Sequence, residues 1–269
     1  MSELTSYIEQ PLGLLQLERL GPRQYAGNCI DGAVGRVFGG HTLAQAVRAA
    51  SLAIDDRRPI HSFHATFLRP GSSATPMIYS TEILKKGRSL DVVGFRAEQS
   101  SSLMLFGFAS AQAPEPSVHS AISMPSVADP ESLAASAFAP TGTSSSVRAP
   151  FDRRYLPSPP GFLGKQLWVK SHSEVASASA IDHTALLAYV VDFLVTRAAH
   201  VAMPTLPQVG ASLDHAMWFH RPFRVDEWLF VSSEMTTFSD SRSLCTCHVF
   251  DRDGTLVATA TQEALIRSS

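Results

Sequence analysis

The sequence predicts an α+β fold in which one plan, an antiparallel sheet curled around a single long helix, is written twice. Three observations carry that prediction. Two apolar stretches with helical spacing are each followed by four strand-like runs, the two sets echo one another at a nearly constant offset, and an Ala/Ser/Pro-rich stretch parts them. The echo begins with Phe67-Leu68-Arg69-Pro70, which falls on Phe219-His220-Arg221-Pro222 at 219 − 67 = 152, and Glu82 falls on Glu234 at the same offset. Arg88-Ser89-Leu90 falls on Arg242-Ser243-Leu244 at 242 − 88 = 154, and Gln112 on Gln262 at 262 − 112 = 150. Altered turn lengths produce drifts of this size.

Between residues 14 and 29 the pattern gives two short strands broken by the turn pair Gly21-Pro22. In residues 37–54, VFGGHTLAQAVRAASLAI, the side chains Phe38, Leu43, Ala44, Val47 and Ala50 recur at helical spacing. The Ala content supports a buried helix starting near His41, with small residues that let a sheet wrap closely. Strands are predicted at 61–68, 77–84, 90–98 and 103–111, with turns at Pro70-Gly71 and Lys86-Gly87, as an antiparallel meander. From 113 to 150, in stretches such as APEPSVHSAISMPSVADP and APTGTSSSVRAP, regular hydrophobic period is almost lost, as in a linker. The second copy then offers a strand at 167–170, a helix over 182–199 with Asp182 as N-cap, and strands at 212–220, 227–236, 243–251 and 255–266. Asp253-Gly254 is the hairpin turn of the last pair. The predicted division is an N-terminal domain at 8–112, the linker at 113–150 and a C-terminal domain at 151–269.

At 45% hydrophobic residues the 269-residue chain can fill two cores. A formal net charge of −2 with 17% charged residues leaves no basic field for phosphate backbones or acidic lipid, so neither nucleic acid nor a membrane is an expected partner. The start, MSELTSYIEQPLG, lacks a basic segment followed by an apolar run, and no apolar stretch is read as approaching the roughly 20 residues of a membrane span. A soluble, cytoplasmic protein is expected. Of the 3 cysteines, Cys245 and Cys247 share one strand face and read as small core residues. Nothing clusters at zinc spacing, so no metal and no cofactor are expected.

Asp192 stands in the most apolar stretch of the chain, between Tyr189-Val190-Val191 and Phe193-Leu194-Val195. A lone buried carboxylate is costly, so it either faces a polar cavity or takes up a proton; the bland reading is a helix-surface Asp beside Arg197. Gln262, in TATQEALI, alternates onto the apolar face of Ala260 and Ala264, which suits either a positioned hydrogen-bonding amide or a structural one bonded to backbone. Ser212 in GASLD has Asp214 where a nucleophile elbow needs a second glycine, and the antiparallel plan also argues against that reading. His215, Trp218, His220 and Arg221 read as packing and cross-sheet hydrogen-bonding residues. The couplets Asp182-His183 and Asp214-His215 cannot converge on one atom, because neighbours diverge by about 100° on a helix and point to opposite faces of a strand.

VFGGHTLAQA, IHSFHATFLRPG, LDHAMWFHRPFRVDEWL and LVATATQEALIR, in this order and over a duplicated plan, resemble the acyl-CoA thioesterase II family of double hotdog proteins. The likeness runs from about Leu12 to Arg267. It implies two sheets, each wrapped around a helix and paired like two hotdog subunits, and hydrolysis of fatty acyl-CoA to free acid and CoA. The family holds and activates a water with an Asp on the second helix, a Thr on the following strand and a Gln on the last strand, which fall here on Asp192, Ser212 and Gln262. Ser212 departs from the usual Thr, keeping the hydroxyl and losing the methyl that fixes its rotamer. Backbone amides at a helix N-terminus should stabilise the oxyanion, with Gly39 and Gly40 as the substrate-binding candidates. The ending Arg267-Ser268-Ser269 lacks the peroxisomal signal of eukaryotic members, which favours a cytoplasmic, bacterial-type enzyme. The alternatives are a hotdog acyl-CoA hydratase or dehydratase and a non-catalytic acyl-binding protein. A homo-oligomer, dimer or tetramer, is expected from exposed sheet edges. Each chain should carry one active site, on the second half, because the 152-residue offset puts Ile60 where Ser212 stands and the first helix has no acid before Asp55.

Overall fold

The structure, a computed structural model, describes residues 10–33, 35–55, 57–135, 150–175, 177–205 and 210–267. Most of the Met1 to Gly13 stretch, almost all of APTGTSSSVRAP and the final Ser268-Ser269 lie outside the described residues.

The first half comprises a hairpin of β1 (Glu18–Gly21) and β2 (Gln24–Gly27), a small β3 (Asp31–Ala33) and β4 (Arg36–Val37) ribbon, helix α1 (Gly39–Ser51), and strands β5 (Ile60–Phe67), β6 (Met77–Lys86), β7 (Leu90–Gln99) and β8 (Ser102–Gln112). The second half repeats it with β9 (Phe151–Tyr155), β10 (Gly164–Ser171), helix α2 (Ala180–Ala202), β11 (Ala211–Ser212), β12 (Asp214–Phe219), β13 (Leu229–Ser239), β14 (Arg242–Phe250) and β15 (Leu256–Leu265). All strands except β3 and β4 form one sheet, in the order β1-β2-β6-β7-β8-β5-β12-β15-β14-β13-β10-β9, with β11 beside β15. Read from either edge the connectivity is the same. The antiparallel β5–β12 pair, with Ala65 opposite His215 and Phe63 opposite Met217, is therefore the seam of a double hotdog.

The sheet curls around both helices, which pack on each other at the centre. Leu43, Ala44, Val47 and Ala50 of α1 are all buried, as the helical spacing required, and Phe38, also buried, is the residue that caps the helix rather than part of it. The contact is close because Gly40 has no side chain: a Cβ there would sit 2.4 Å from the backbone oxygen of Tyr189 on α2. α2 is enclosed by sheet and by α1, and a helix buried nearly all round is apolar nearly all round. At 23 residues it is long and apolar enough to cross a membrane by length and composition, which corrects the expectation that no apolar stretch approaches that length.

Four further expectations need correction. Strands β6, β7 and β8 form a meander, but β5 lies beyond β8, because the strand before the meander must reach the seam. Asp182 is not the N-cap of α2; Ser179 is, and Asp182 accepts the Ser179 N–H at 2.9 Å from the third helical position as in a capping box. The 113–150 stretch, which has no regular structure from 113 to 129, does more than connect. Met124, Val127 and Leu133 pack on an apolar outer cluster of Leu156, Trp168, Phe230, Phe250 and Leu256. Trp168 Nε1 donates to the Ala128 carbonyl at 2.9 Å, and Arg252 clasps Asp129 and Glu131 at 2.9 and 2.8 Å.

The fourth concerns the repeat. Glu82 lies opposite Gly94 and Glu234 opposite Thr246, so that match holds at 152 in the ladder too (246 − 94). Gln112 does not match Gln262. With Phe63 in the place of His215, its ladder partner Ala109 takes the place of Gln262, whereas Gln112 is exposed at the end of β8. Leu90, not Arg88, likewise stands where Arg242 does, because Leu90 faces Gln112 at the strand end as Arg242 faces Leu265. The turns shift the offset by a residue or two, and sequence identity at a strand end is a poor guide to register.

Candidate active site

Asp192 lies mid-helix on α2, Ser212 on the two-residue β11 and Gln262 within β15, and the fold brings their side chains into contact. Gln262 Nε2 donates to Asp192 Oδ1 at 2.9 Å and to Ser212 Oγ at 2.7 Å. Both amide protons are thereby used. The Ser212 oxygen accepts, so its own proton is left to point elsewhere. Behind Gln262, His215 Nδ1 lies 2.9 Å from Gln262 Oε1.

A one-residue slip makes this possible. Ser212 pairs with Ala264 and Ala216 with Thr261, so four residues of β11–β12 (216 − 212) span three of β15 (264 − 261). In a regular strand residues 212 and 215 would point to opposite faces. The extra residue, a bulge, turns both toward Gln262 and leaves Asp214 outside, where its Oδ1 accepts the Glu263 N–H at 2.9 Å.

Asp192 is only 5% exposed, and burial pushes its carboxyl up to about 6, against the opposing pull of hydrogen bonds from Gln262 and the Gly40 N–H. The helix-surface reading beside Arg197 is thus excluded. His215 is fully buried, and burial pushes its imidazole down to about 4. Asp192 Oδ1 and His215 Nδ1 are 3.8 Å apart, but the histidine loses its charge below the pH at which the carboxyl gains one. The contact is not an ion pair. His41 is likewise pushed down to about 4, and Cys245, opposite Gln262 in the ladder, up to about 11.

Gly39 and Gly40 meet this group from the N-terminus of α1. The Gly40 N–H, proposed from sequence for an oxyanion, is directed at the Asp192 carboxylate. A Cβ on Gly39 would lie 3.3 Å from Asp192 Oδ2 and 3.3 Å from the Phe67 ring, so the missing side chain keeps one side of that oxygen uncovered. The remaining polar residues stay apart from this point. His183 accepts the Val225 N–H at 3.3 Å, His220 bonds Thr259 at 3.0 Å, and Trp218 packs edge-on against His64. Among the described residues no group of three or more His, Cys, Asp or Glu side chains could hold a metal ion.

Residues 31–113 match the family described as acyl-CoA thioesterase N-terminal domain, and residues 130–266 its C-terminal domain. The chain is 33% identical to acyl-CoA thioesterase 2 of Haemophilus influenzae over 99% of this chain and 100% of that one. The chain belongs to the acyl-CoA thioesterase II family. Among solved structures, this thioesterase II chain superposes on the tesB protein of Mycobacterium avium subs paratuberculosis with a TM-score of 0.85 at 28% identity, covering 96% of this chain and 98% of that one. The acyl-CoA thioesterase II TesB2 of Mycobacterium marinum gives 0.84 at 29% identity, with the same coverage.

In the first half of this thioesterase II chain, Phe63 and Ala109 stand where the second has His215 and Gln262, and Gly40 faces Tyr189 across the helix crossing. No acid–amide–hydroxyl group is assembled there among the described residues.

Proposed function

We propose that this chain hydrolyses fatty acyl-CoA to free acid and CoA, with Asp192 as general base, Ser212 as the hydroxyl that holds the attacking water and Gln262 as the amide that fixes both of them in place. The observation that carries the reading is the buried Asp192 carboxyl, bonded through one oxygen to Gln262 and facing the bare edge of Gly39 with the other. A thioester carbonyl is reactive enough to need only an oriented, partly deprotonated water. Oδ2 takes the water's proton, and the Ser212 hydroxyl, its oxygen already bonded to Gln262, donates to the water or to the developing oxyanion. Gly40 holds the carboxylate and Gly39 leaves room for the thioester. A hydratase would need an imidazole at the substrate carbon, and His215 is sealed behind Gln262.

Release of CoA thiol from a panel of acyl-CoAs tests the reaction, and absence of thiol release from every member refutes it. The base must be ionised, so kcat/KM should rise with pH along a one-proton limb centred at about 6. Ser212→Thr restores the family's usual hydroxyl and should stay within about threefold of wild type, whereas Ser212→Ala should lose about tenfold or more. Equal rates in all three would remove Ser212 from the mechanism. The proposal extends to a role in fatty acid metabolism, a cytoplasmic location with no membrane partner, and a dimer or tetramer. The outer strands β1 and β9 offer edges for self-association. Light scattering and cell fractionation test these points.

A further inference from the structure

Gln262 is backed by His215, which the sequence pattern assigned to packing and cross-sheet hydrogen bonding. We propose that His215 is a positioning residue for the hydrolysis: its Nδ1–H locks the Gln262 carboxamide in the one orientation that turns both amide protons onto Asp192 and Ser212. This rests on the reading of Asp192 as the base.

A carboxamide has two faces of nearly equal shape and opposite hydrogen-bonding sense. Turned over, Gln262 would set its oxygen against the Asp192 carboxylate, lone pair against lone pair, and would leave Ser212 Oγ without a donor. A donor at 2.9 Å from Oε1 opposes that turn, and His215 Nδ1 is the atom found there. The proton must be on Nδ1, because Oε1 can only accept. Nε2, which has no hydrogen-bond partner, is then the bare nitrogen, the cheaper one to leave buried alone. The ring cannot swing away. It is 0% exposed and stacks on Phe63 at 5.6 Å and 12°. A phenyl or leucyl group would fill this space without burying an unpartnered nitrogen, so what imidazole adds is the Nδ1–H.

The lock predicts a change in the acid limb as well as in rate. Titratable groups around Asp192 are His41 on α1, Tyr189 on α2, His215 on β12 and Cys245 on β14, and burial keeps all four neutral near pH 6. Asp214 and Glu263 belong to the opposite face of the sheet. The limb therefore reports Asp192, and an amide free to turn withdraws a donor from its carboxylate and raises the midpoint.

Asn and Leu have nearly the same shape, but only Asn can put an N–H where Nδ1 stands. His215→Leu should lower kcat by about 10- to 100-fold with little change in KM and move the limb to higher pH, whereas His215→Asn should recover most of the rate with a midpoint near that of wild type. Should the Leu variant not fold, His215→Gln, whose amide reaches toward the Nε2 position, replaces it with the same expected loss. Equal rates and midpoints in the donor-keeping and donor-lacking variants would overturn the proposal and leave His215 as packing. A wild-type profile with no limb, or an active Asp192→Asn enzyme, would instead overturn the reading of Asp192 and His215's role with it.

Discussion

Asp192→Asn is expected to cut turnover by about 10²- to 10⁴-fold, the range for losing a positioned general base, while the fold is kept. The substitution changes charge and hardly changes shape. It should also alter the pH dependence of stability in a calculable direction. A carboxyl that titrates at about 6 when folded and at the ordinary 3.8 when unfolded binds its proton more tightly in the folded chain. The contribution of Asp192 to wild-type stability therefore falls as pH rises from about 4 to 6 and carries the full cost above that, on the order of 3 kcal/mol for a shift of about two units. Asn has no such charge. Relative to wild type, its stability should rise by up to that amount between pH 4 and pH 8, whatever constant offset arises because an amide offers one accepting oxygen where the carboxylate offers two. Denaturant unfolding at the two pH values measures the difference. A wild-type rate in the variant would show that the carboxylate is not the base, and a stability gap independent of pH would show that it is not a strained buried charge.

The duplicated plan, the helices and most strands were legible because alternation and helical spacing are local, and because the sequence states them twice. Gln262 was readable for the same reason: period two put it between Ala260 and Ala264, and all three are buried. Asp192 was conspicuous as an acid in an apolar helix, although only the fold could tell a polar pocket from a surface beside Arg197. His215 was missed for a physical reason. Period-two counting from Ser212 sends it to the other face, and the bulge that reverses this lies at Leu213-Asp214, where the sequence carries no glycine to mark it. Side-chain identity misled at Gln112, since a matching glutamine at a strand end outweighed an inward Ala109 that nothing made prominent. The docked segment from Met124 to Leu133 was also hidden. Its apolar residues are spaced irregularly and meet a cluster on the outer face of the sheet, a surface that alternation alone would assign to solvent.

Gly40→Ala should be the most damaging single methyl that can be added to the helix crossing. A Cβ at this position would lie 2.4 Å from the Tyr189 backbone oxygen and 2.6 Å from the Phe38 ring. The ring can yield, but the carbonyl belongs to the middle of α2 and can move only with the helix. Separating the helices to make room pulls the Gly40 N–H off Asp192 and shifts the carboxylate relative to Gln262. A loss of about 3 kcal/mol in stability, the upper part of the usual overpacking range, should accompany a fall in kcat of roughly 10²-fold, the cost of about an ångström of misplacement. Gly39→Ala provides the contrast. Its Cβ would meet Asp192 Oδ2 and Phe67 at 3.3 Å, tight but movable side-chain contacts, so the fold should hold within about 1 kcal/mol while the space beside the carboxylate is filled. Melting curves and kcat/KM for the two variants separate the effects: Gly40→Ala should lose both stability and rate, and Gly39→Ala mainly rate. A Gly40→Ala enzyme with wild-type melting and wild-type turnover would mean that α1 and α2 do not approach closely enough for the Gly40 N–H to hold Asp192, and the geometry assigned to the base would have to be abandoned.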